Sequence, residues 1–376
     1  MKIILTGGGT GGHITPLLAV AHKLKAIDPS IEIIYVGDRG TKFASMTEGQ
    51  TVFDKQYRVF AGKFRRYNGE SWLKRLLDVK TNLLNLRDFF LFMMGTVESW
   101  FLLHKLKPDV ILLKGGFVGV PVGLAARKRI PIVTHDSDAL PGLANRLVGR
   151  WAVYHATGMP AEYYNYPVDE TRYVGVIVGE QYQSVDQNLL AKYRSELKIP
   201  LDAQVLLVTG GSNGAQSVNA AIVAMAPRLL ERLPNLYILH QVGRGNEKAY
   251  GSYKNDRLVV QGLVANLHIY SGAADAIVTR AGANTIAEFG VQGKACIVVP
   301  NPLLTGGHQL KNAQYLVEQN AAVVVDEQGI AGAVDLLLTS AAKRTDLGRQ
   351  LQAITVKDAA QKLAELLIDI SKRAGE

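Results

Sequence analysis

One cysteine, Cys296, stands in a chain of 376 residues. That scarcity excludes an intrachain disulfide and a cysteine-based zinc cluster, and it suits a reducing cytoplasm. No run of about 20 uninterrupted apolar residues is present, so a membrane-spanning helix is not expected. The nearest approach, FFLFMMGTVESWFLL from Phe89 to Leu103, is broken by Glu98. The opening Met1-Lys2-Ile3-Ile4-Leu5 passes straight into glycines, without the apolar core and cleavage site of a secretion signal. Low-complexity tracts and short-period repeats are also lacking. Acid is in short supply: 42 Lys and Arg face 33 Asp and Glu, a formal charge of +9. The imbalance lies in the first half, with 23 basic and 15 acidic side chains in residues 1–175 against 19 and 18 in the remainder. Between Lys55 and Arg87 there are nine basic residues and two acidic ones. Such a stretch is either a plain solvated surface or a face for an anionic partner.

What is present is apolar and ordered. Ala, Val, Ile, Leu, Met, Phe, Trp, Tyr and Cys together make up 48% of the chain and charged residues 20%, which excludes disorder as the main state. The length suits two domains, each with its own core. Two segments read as a fold starting over: KIILTGGGTGG (2–12) and QVLLVTGGSNGA (204–215) are each a short apolar run, a glycine turn and then a helical pattern. A second echo, ILLKGGFVGVPVGLAA (111–126) and AIVTRAGANTIAEFG (276–290), repeats the same order. Strand, loop, helix is the opening of a doubly wound α/β unit, so two Rossmann-like domains are expected rather than one large sheet. Further strands are expected at Ile31–Val36, Ile130–Thr134, Leu236–Gln241, Leu258–Val260, Ala295–Val299 and Ala322–Val325. Helix signals lapse near Val174–Gln187, which places the linker there. The expected domains are 1–177 and 178–355. The tail forms an amphipathic helix, with Ala360, Leu363, Leu366, Leu367 and Ile370 on one stripe, and 356–376 is expected to pack back on the first domain.

Six constellations carry chemistry. Gly7-Gly8-Gly9-Thr10-Gly11-Gly12-His13 opens a helix with backbone amides free to approach an anion, so it is ready for phosphate. Its match to GxGxxG is weak alone. His13 either faces the ligand or fills a helix start. Gly210-Gly211-Ser212-Asn213-Gly214-Ala215 is a second loop of the same kind, or a merely tight turn. The two loops are expected to face each other across a cleft between the domains. In Arg280-Ala281-Gly282-Ala283-Asn284-Thr285-Ile286-Ala287-Glu288 the glutamate falls on the first turns of a helix, where a carboxylate can accept both hydroxyls of a ribose or simply face solvent. His308 and Gln309 at another helix start suit sugar hydroxyls, or ordinary capping. Asp136 and Asp138 in His135-Asp136-Ser137-Asp138 form D-x-D, a metal-holding pattern in some sugar transferases. Those enzymes use a single-domain layout, so capping of the next helix is the reading adopted and no metal is assigned. Finally, Trp72 to Leu103 mixes bulky apolar groups with Lys74, Arg75, Lys80 and Arg87, after Lys63, Arg65 and Arg66. Residues 55–103 therefore read as a face for an anionic membrane surface, or as a helix covering the sheet. The interleaved groups are aliphatic rather than exposed stacking platforms, which argues against nucleic acid.

Together these residues resemble the MurG family over essentially the whole chain. Seven blocks run in the family's order: GGGTGGH (7–13), GGFVGVP (115–121), HDSDALPGLANRL (135–147), GGSNGAQSVN (210–219), HQVGRG (240–245), RAGANTIAE (280–288) and HQLKNA (308–313). The resemblance implies the GT-B fold, two Rossmann-like domains around a cleft. It also implies inverting transfer of N-acetylglucosamine (GlcNAc) from UDP-GlcNAc to a polyprenyl-diphosphate-linked muramyl-pentapeptide in peptidoglycan synthesis, by a cytoplasmic enzyme peripheral on the inner face of the cell membrane. The alternatives within reach are a GT-B glycosyltransferase with another lipid acceptor, a UDP-GlcNAc 2-epimerase, and a non-catalytic sugar-nucleotide-binding protein. No tightly bound cofactor is implied.

By the same resemblance, the second domain holds the donor. Ser212, Asn213 and Gly214 meet phosphate, Val264 meets uracil through its backbone, Glu288 meets ribose, and His308 and Gln309 meet the sugar; Arg280 precedes the turn as in the family. The first domain holds the lipid diphosphate over Gly9, Thr10, Gly11 and Gly12, with Gly115, Gly116 and Phe117 beside it. His13 resembles the general base, with Asp138 the lesser candidate. Three positions depart from the family: Asp138 replaces an asparagine, Phe117 a frequent tyrosine, and Gly179 an arginine that neighbours the donor phosphates. Other cations, such as Arg244, can take over the last role.

Overall fold

The computed structural model describes residues 1–8, 11–40, 46–65, 78–211 and 214–374. The chain divides into two compact units, Met1–Gly179 joined by the chain from Asp358 onward, and Glu180–Lys357.

The first unit begins with β1 (Lys2–Thr6), α1 (Gly11–Ile27), β2 (Glu32–Asp38), β3 (Lys55–Val59), α2 (Val79–Leu106) and β4 (Val110–Leu113). It continues with α3 (Gly119–Ala126), β5 (Ile132–Asp136), α4 (Leu143–Gly149), β6 (Tyr154–Thr157) and β7 (Thr171–Tyr173). The strands form one parallel sheet in the order β3-β2-β1-β4-β5-β6-β7. The order reverses between β1 and β4, and ligands of such sheets bind beyond the strand ends at that reversal. Helices cover both faces, so strands such as Val110-Ile111-Leu112-Leu113 are buried without alternation.

The second unit contains α5 (Gln187–Glu196), β8 (Gln204–Thr209), α6 (Gln216–Arg232), β9 (Leu236–Gln241), β10 (Leu258–Gln261) and α7 (Leu267–Ala273). There follow β11 (Ala276–Thr279), α8 (Ala283–Val291), β12 (Ala295–Val298), α9 (His308–Glu318), β13 (Val323–Val324), α10 (Ile330–Thr339) and α11 (Ala341–Ile354). Its sheet, β10-β9-β8-β11-β12-β13, is again parallel and reverses beside its first strand. Each glycine loop read from the sequence thus leaves the first strand of its sheet at the reversal. The last helix, α12 (Ala359–Ala374), buries Leu363, Leu367 and Ile370 and packs on α1 and β4 of the first unit.

One helix is built inside out. The buried side of α2 carries Asp88, Gly95 and Ser99 before Leu103 and Leu106, whereas Val79, Leu83, Leu86, Phe90, Val97 and Phe101 are exposed. The buried side is small because α2 lies directly on backbone. A Cβ on Gly95 would stand 1.7 Å from the Phe60 carbonyl oxygen, and one on Gly62 would stand 1.9 Å from that of Asp88. Glu98, which interrupts the apolar run, accepts the Phe60 N–H at 2.9 Å and pairs with Arg39 at 2.8 Å. Asp88 pairs with Arg65 at 2.7 Å and Arg87 at 2.8 Å. Among the described residues no helix is long and apolar enough to cross a membrane.

Replacing Gly95 with alanine adds helix propensity of about 1 kcal/mol. The contact with Phe60 should outweigh it, for a net loss of about 1–3 kcal/mol as in overpacked cores. Urea denaturation followed by circular dichroism checks this. An unchanged or higher midpoint would mean that α2 can lift from the Phe60 backbone without cost.

Candidate active site

In the first unit the site grows from the loop after β1. Gly7 and Gly8 are described, while the expected phosphate ligands Gly9 and Thr10 lie outside the described residues. Gly11 and Gly12 open α1 and bring His13 onto its first turn. His13 Nδ1 lies 2.9 Å from the Gly8 carbonyl oxygen. A carbonyl only accepts, so Nδ1 carries the proton and Nε2 keeps its lone pair. The ring is half-buried. Burial first, and then the Lys114 ammonium, push His13 down to about 4, against the pull of the Gly8 hydrogen bond and of Asp138.

The loop after β4 presses on the same point. Gly115 and Gly116 have φ of +95° and +83°, where a side chain is strained. A Cβ on Gly116 would stand 2.2 Å from the Gly8 carbonyl oxygen. One on Gly115 would lie 3.6 Å from His13 Nε2 and 3.8 Å from Asn145 Oδ1. Asn145 is buried on α4, and its Oδ1 has no hydrogen-bond partner among the described residues. Phe117 is half-buried and packs on the core of its unit.

The D-x-D segment at the end of β5 divides into two roles. Both oxygens of Asp136 are engaged by protein donors: Oδ1 by Gly142 N–H at 3.0 Å and Asn145 Nδ2 at 2.9 Å, Oδ2 by the Tyr166 hydroxyl at 2.9 Å. Gly142 is the N-cap of α4, so Asp136 fastens the start of that helix. Burial raises its carboxyl despite these bonds. His135 is buried, with Nε2 donating to the Gly175 carbonyl at 3.0 Å. Asp138 is half-buried, and its charge acts on both His13 and Lys114. Among the described residues no group of three or more His, Cys, Asp or Glu side chains is arranged to hold a metal ion.

Lys114, the last residue of the loop's approach, had no role in the sequence reading. It is 3% exposed and donates to Ser137 Oγ at 2.8 Å. Burial lowers it to about 8, opposed by Asp136 and Asp138. The sequence did carry a signal: a lysine closing the apolar run Ile111-Leu112-Leu113, directly before two glycines.

In the second unit the loop after β8 bonds within itself and to Thr209 at the end of that strand. Ser212 and Asn213 lie outside the described residues. Gly211 N–H donates to Thr209 Oγ1 at 3.2 Å and Gly214 N–H to the Gly211 carbonyl at 3.0 Å. Gly214 has φ of +73°, and a Cβ there would stand 2.2 Å from the Val242 carbonyl oxygen. Arg244 is exposed on the next loop, between Gly243 and Gly245. Val264 is buried and donates its N–H to Gln241 Oε1 at 3.1 Å.

Glu288 is half-buried on α8, which starts after the turn at Gly282. Burial raises it to about 7, although the Tyr182 hydroxyl donates to it and pulls the other way. Tyr182 was also missed by the sequence reading, because nothing local links it to a residue a hundred positions on. Arg280 is committed inside the protein: it bonds Glu327 Oε1 at 3.0 Å, the Val299 carbonyl at 3.1 Å and Ser217 Oγ at 2.7 Å. Gly307, at φ of +68°, leads into α9 and places His308 and Gln309 on its first turn. Gln309 is buried, and its Oε1 accepts the Asn301 N–H at 2.9 Å.

Comparison with known proteins covers both units. Residues 3–156 match the glycosyltransferase family 28 N-terminal domain and residues 205–364 the C-terminal domain of that family. The UDP-N-acetylglucosamine–N-acetylmuramyl-(pentapeptide) pyrophosphoryl-undecaprenol N-acetylglucosamine transferase of Exiguobacterium sp. strain AT1b is 30% identical, with 98% of this chain and 99% of that one covered. The transferase of the same name from Natranaerobius thermophilus is 29% identical, again with 98% and 99% covered. The crystal structure of Acinetobacter baumannii MurG superposes with a TM-score of 0.71 at 23% identity over 98% of this chain and 99% of that one, a likeness of fold. The two parallel-sheet units, each with its glycine loop at the strand reversal, and the full-length match identify this chain as a member of the MurG family of GT-B glycosyltransferases.

Proposed function

We propose that this protein catalyses inverting transfer of GlcNAc from UDP-GlcNAc to a polyprenyl-diphosphate-linked muramyl-pentapeptide, converting lipid I to lipid II. The observation that carries the reading is the match along nearly the whole chain to transferases named for this reaction. The second unit binds the donor and the first the lipid acceptor. An acceptor hydroxyl attacks C1 of the sugar from the face opposite UDP. The new C1–O bond forms as the C1–O bond to phosphate breaks, its electron pair leaves with UDP, and the hydroxyl proton passes to His13 Nε2. The Gly8 bond supports this role because it fixes the tautomer that leaves Nε2 basic. Asp138 acts on the imidazole electrostatically in this scheme rather than as the base.

Charge on departing UDP is met by the start of α6, by the loop carrying Ser212 and Asn213, and by Arg244 in place of the arginine missing at Gly179. Arg280, bound to Glu327 and Ser217, braces that helix start rather than meeting phosphate. Val264, with its N–H held by Gln241, offers uracil its carbonyl. Glu288 accepts the ribose hydroxyls, and Gln309, with its oxygen held by Asn301, offers its amide hydrogens to the sugar beside His308. In the first unit the start of α1, with Gly9, Thr10, Gly11 and Gly12 and the Gly115-Gly116 turn, cradles the acceptor diphosphate. The scheme assigns no step to a metal.

The exposed stripe of α2 is the membrane face, and the protein works on the cytoplasmic side as a peripheral enzyme. The stripe runs the length of a helix of 28 residues. At its carboxyl end the Trp100 ring lies tilted against His104 and under Arg129, and Arg127 and Lys128, just before Arg129 in the chain, are exposed. Apolar side chains rimmed by aromatics and cations fit an interface of acyl chains and anionic headgroups.

Turnover of UDP-GlcNAc, UDP-glucose and UDP-galactose with a lipid-diphosphate-muramyl acceptor tests the reaction. UDP release should require the acceptor and be greatest with UDP-GlcNAc. Release of UDP without acceptor, or binding without turnover, would favour an epimerase or a binding protein instead. Replacing His13 with alanine should lower kcat by roughly 10²–10⁴ while UDP still binds; an unchanged kcat would remove His13 as the base.

The acid limb of the pH profile should belong to Glu288 and not to His13. The carboxylate must be ionised to accept both ribose hydroxyls. Donor KM should therefore rise as pH falls through about 7, while His13, protonating near 4, stays neutral. Glu288→Gln should raise donor KM and flatten that dependence. A pH-independent donor KM in the unsubstituted enzyme would contradict the ribose assignment.

Co-sedimentation with vesicles containing anionic lipid, at low and high salt, tests the membrane face. Phe90→Asp together with Phe101→Asp should abolish sedimentation and leave UDP binding intact. Undiminished sedimentation would place the membrane contact elsewhere.

A further inference from the structure

The donor reading leaves two adjacent polar side chains at the end of β9 unaccounted for, both buried. His240 is 2% exposed and Gln241 3% exposed. Alternation along a strand sends them to opposite faces. His240 makes one contact at each ring nitrogen, Nδ1 with the Tyr250 hydroxyl at 2.8 Å and Nε2 with Asn219 Oδ1 at 3.1 Å, which fastens β9 to α6. Gln241 reaches sideways. Its Nε2 donates to the Gly211 carbonyl at 2.9 Å and to Thr209 Oγ1 at 3.2 Å, and its Oε1 accepts the Val264 N–H at 3.1 Å.

Register explains why one side chain can do this. In the sheet β9 lies between β10 and β8, and Gln241 is the Cα partner of both Thr209 and Gln261. The loop leaving β8 carries the phosphate-binding glycines, and the segment leaving β10 carries Val264. These flanking strands are about 10 Å apart, two strand spacings. The Gln241 amide spans them across the middle strand. Its polarity is fixed: flipped, it would set NH₂ against the Val264 N–H and oxygen against the Gly211 carbonyl.

We propose that Gln241 is a positioning residue that sets the separation of the base and phosphate subsites, so that a uridine diphosphate is gripped at both ends by loops already in register. The proposal rests on the donor reading above. It makes Gln241 a spacer for ligands that span both loops, and of little consequence for ligands that touch one.

The test compares uridine, inorganic pyrophosphate and UDP on the full-length protein by titration calorimetry, using competition against UDP for the two weaker ligands. Gln241→Leu keeps the volume and removes all three bonds. UDP affinity should fall roughly tenfold or more, while uridine and pyrophosphate each change less than about threefold. Donor KM should rise with the UDP effect, and kcat at saturating donor should hold. Equal weakening of all three ligands would mean general damage to the unit and would overturn the proposal, as would unchanged UDP affinity in the folded variant. Should Gln241→Leu not fold, Gln241→Glu carries the same comparison, because it keeps an acceptor for Val264 and sets oxygen against the Gly211 carbonyl. If the unsubstituted protein itself does not bind UDP, the donor reading fails, an outcome distinct from an indifferent variant.

Discussion

The carbonyl of Gly8 is the atom on which the first unit's site depends. It receives the proton-bearing nitrogen of His13 and so decides which ring nitrogen is basic. It also lies so close to the Gly115-Gly116 turn that a methyl group at 116 would collide with it. Both loops therefore meet at one backbone group, and the sheet order explains why. β1 and β4 are neighbours on either side of the strand reversal, so their loops part company with this carbonyl between them. A substitution at Gly116 would act on His13 without touching it, by moving the acceptor of its hydrogen bond.

The second unit repeats the layout with different fastenings. Its glycine loop is held by the Gln241 amide rather than by a histidine from the following helix, and at Gly214 it runs close to the Val242 carbonyl just after β9. Gln241 is buried with its amide fully engaged by the protein, whereas His13 and Glu288 are half-buried and Arg244 is exposed. Arg280 shows the distinction. It stands in a family motif, yet its guanidinium is absorbed by Glu327, Ser217 and a carbonyl. Arg244, on the loop after β9, is exposed instead.

Much of this was legible in the sequence, for physical reasons. Continuous apolar runs ending in glycine mark parallel strands that lead into helix starts, and β1 and β8 stand where KIILT and QVLLVT predict them. The alternation-free strands Leu236–Gln241 and Ala295–Val298 were equally plain. What the sequence conceals is register and reach. Nothing local connects Tyr182 with Glu288, or Gln241 with Val264, since these contacts arise only once strands and helices are packed. The apolar stretch before Leu103 was ambiguous between core and membrane face because periodicity shows a stripe without showing which way it points. In the structure the helix turns Gly95 to the Phe60 backbone and leaves Phe89, Phe90, Trp100 and Phe101 exposed.

The acid at position 138, a departure from the family's asparagine, takes on a different meaning beside Lys114. A carboxylate alone near His13 would favour the imidazolium and weaken its use as a base at neutral pH. A buried ammonium alone would carry an uncompensated charge. Together they act on the imidazole in opposite senses, Lys114 lowering its basicity and Asp138 raising it, and each offsets the other's charge within the unit. Asp136 adds a further negative charge toward Lys114 while its own oxygens are held by Gly142, Asn145 and Tyr166. Burial, the largest influence on His13, holds it at about 4, so the imidazole stays neutral through the physiological range even with Asp138 acting on it. Replacing Asp138 with asparagine would remove a charge that raises both groups, so the basicity of His13 and that of Lys114 would each fall further.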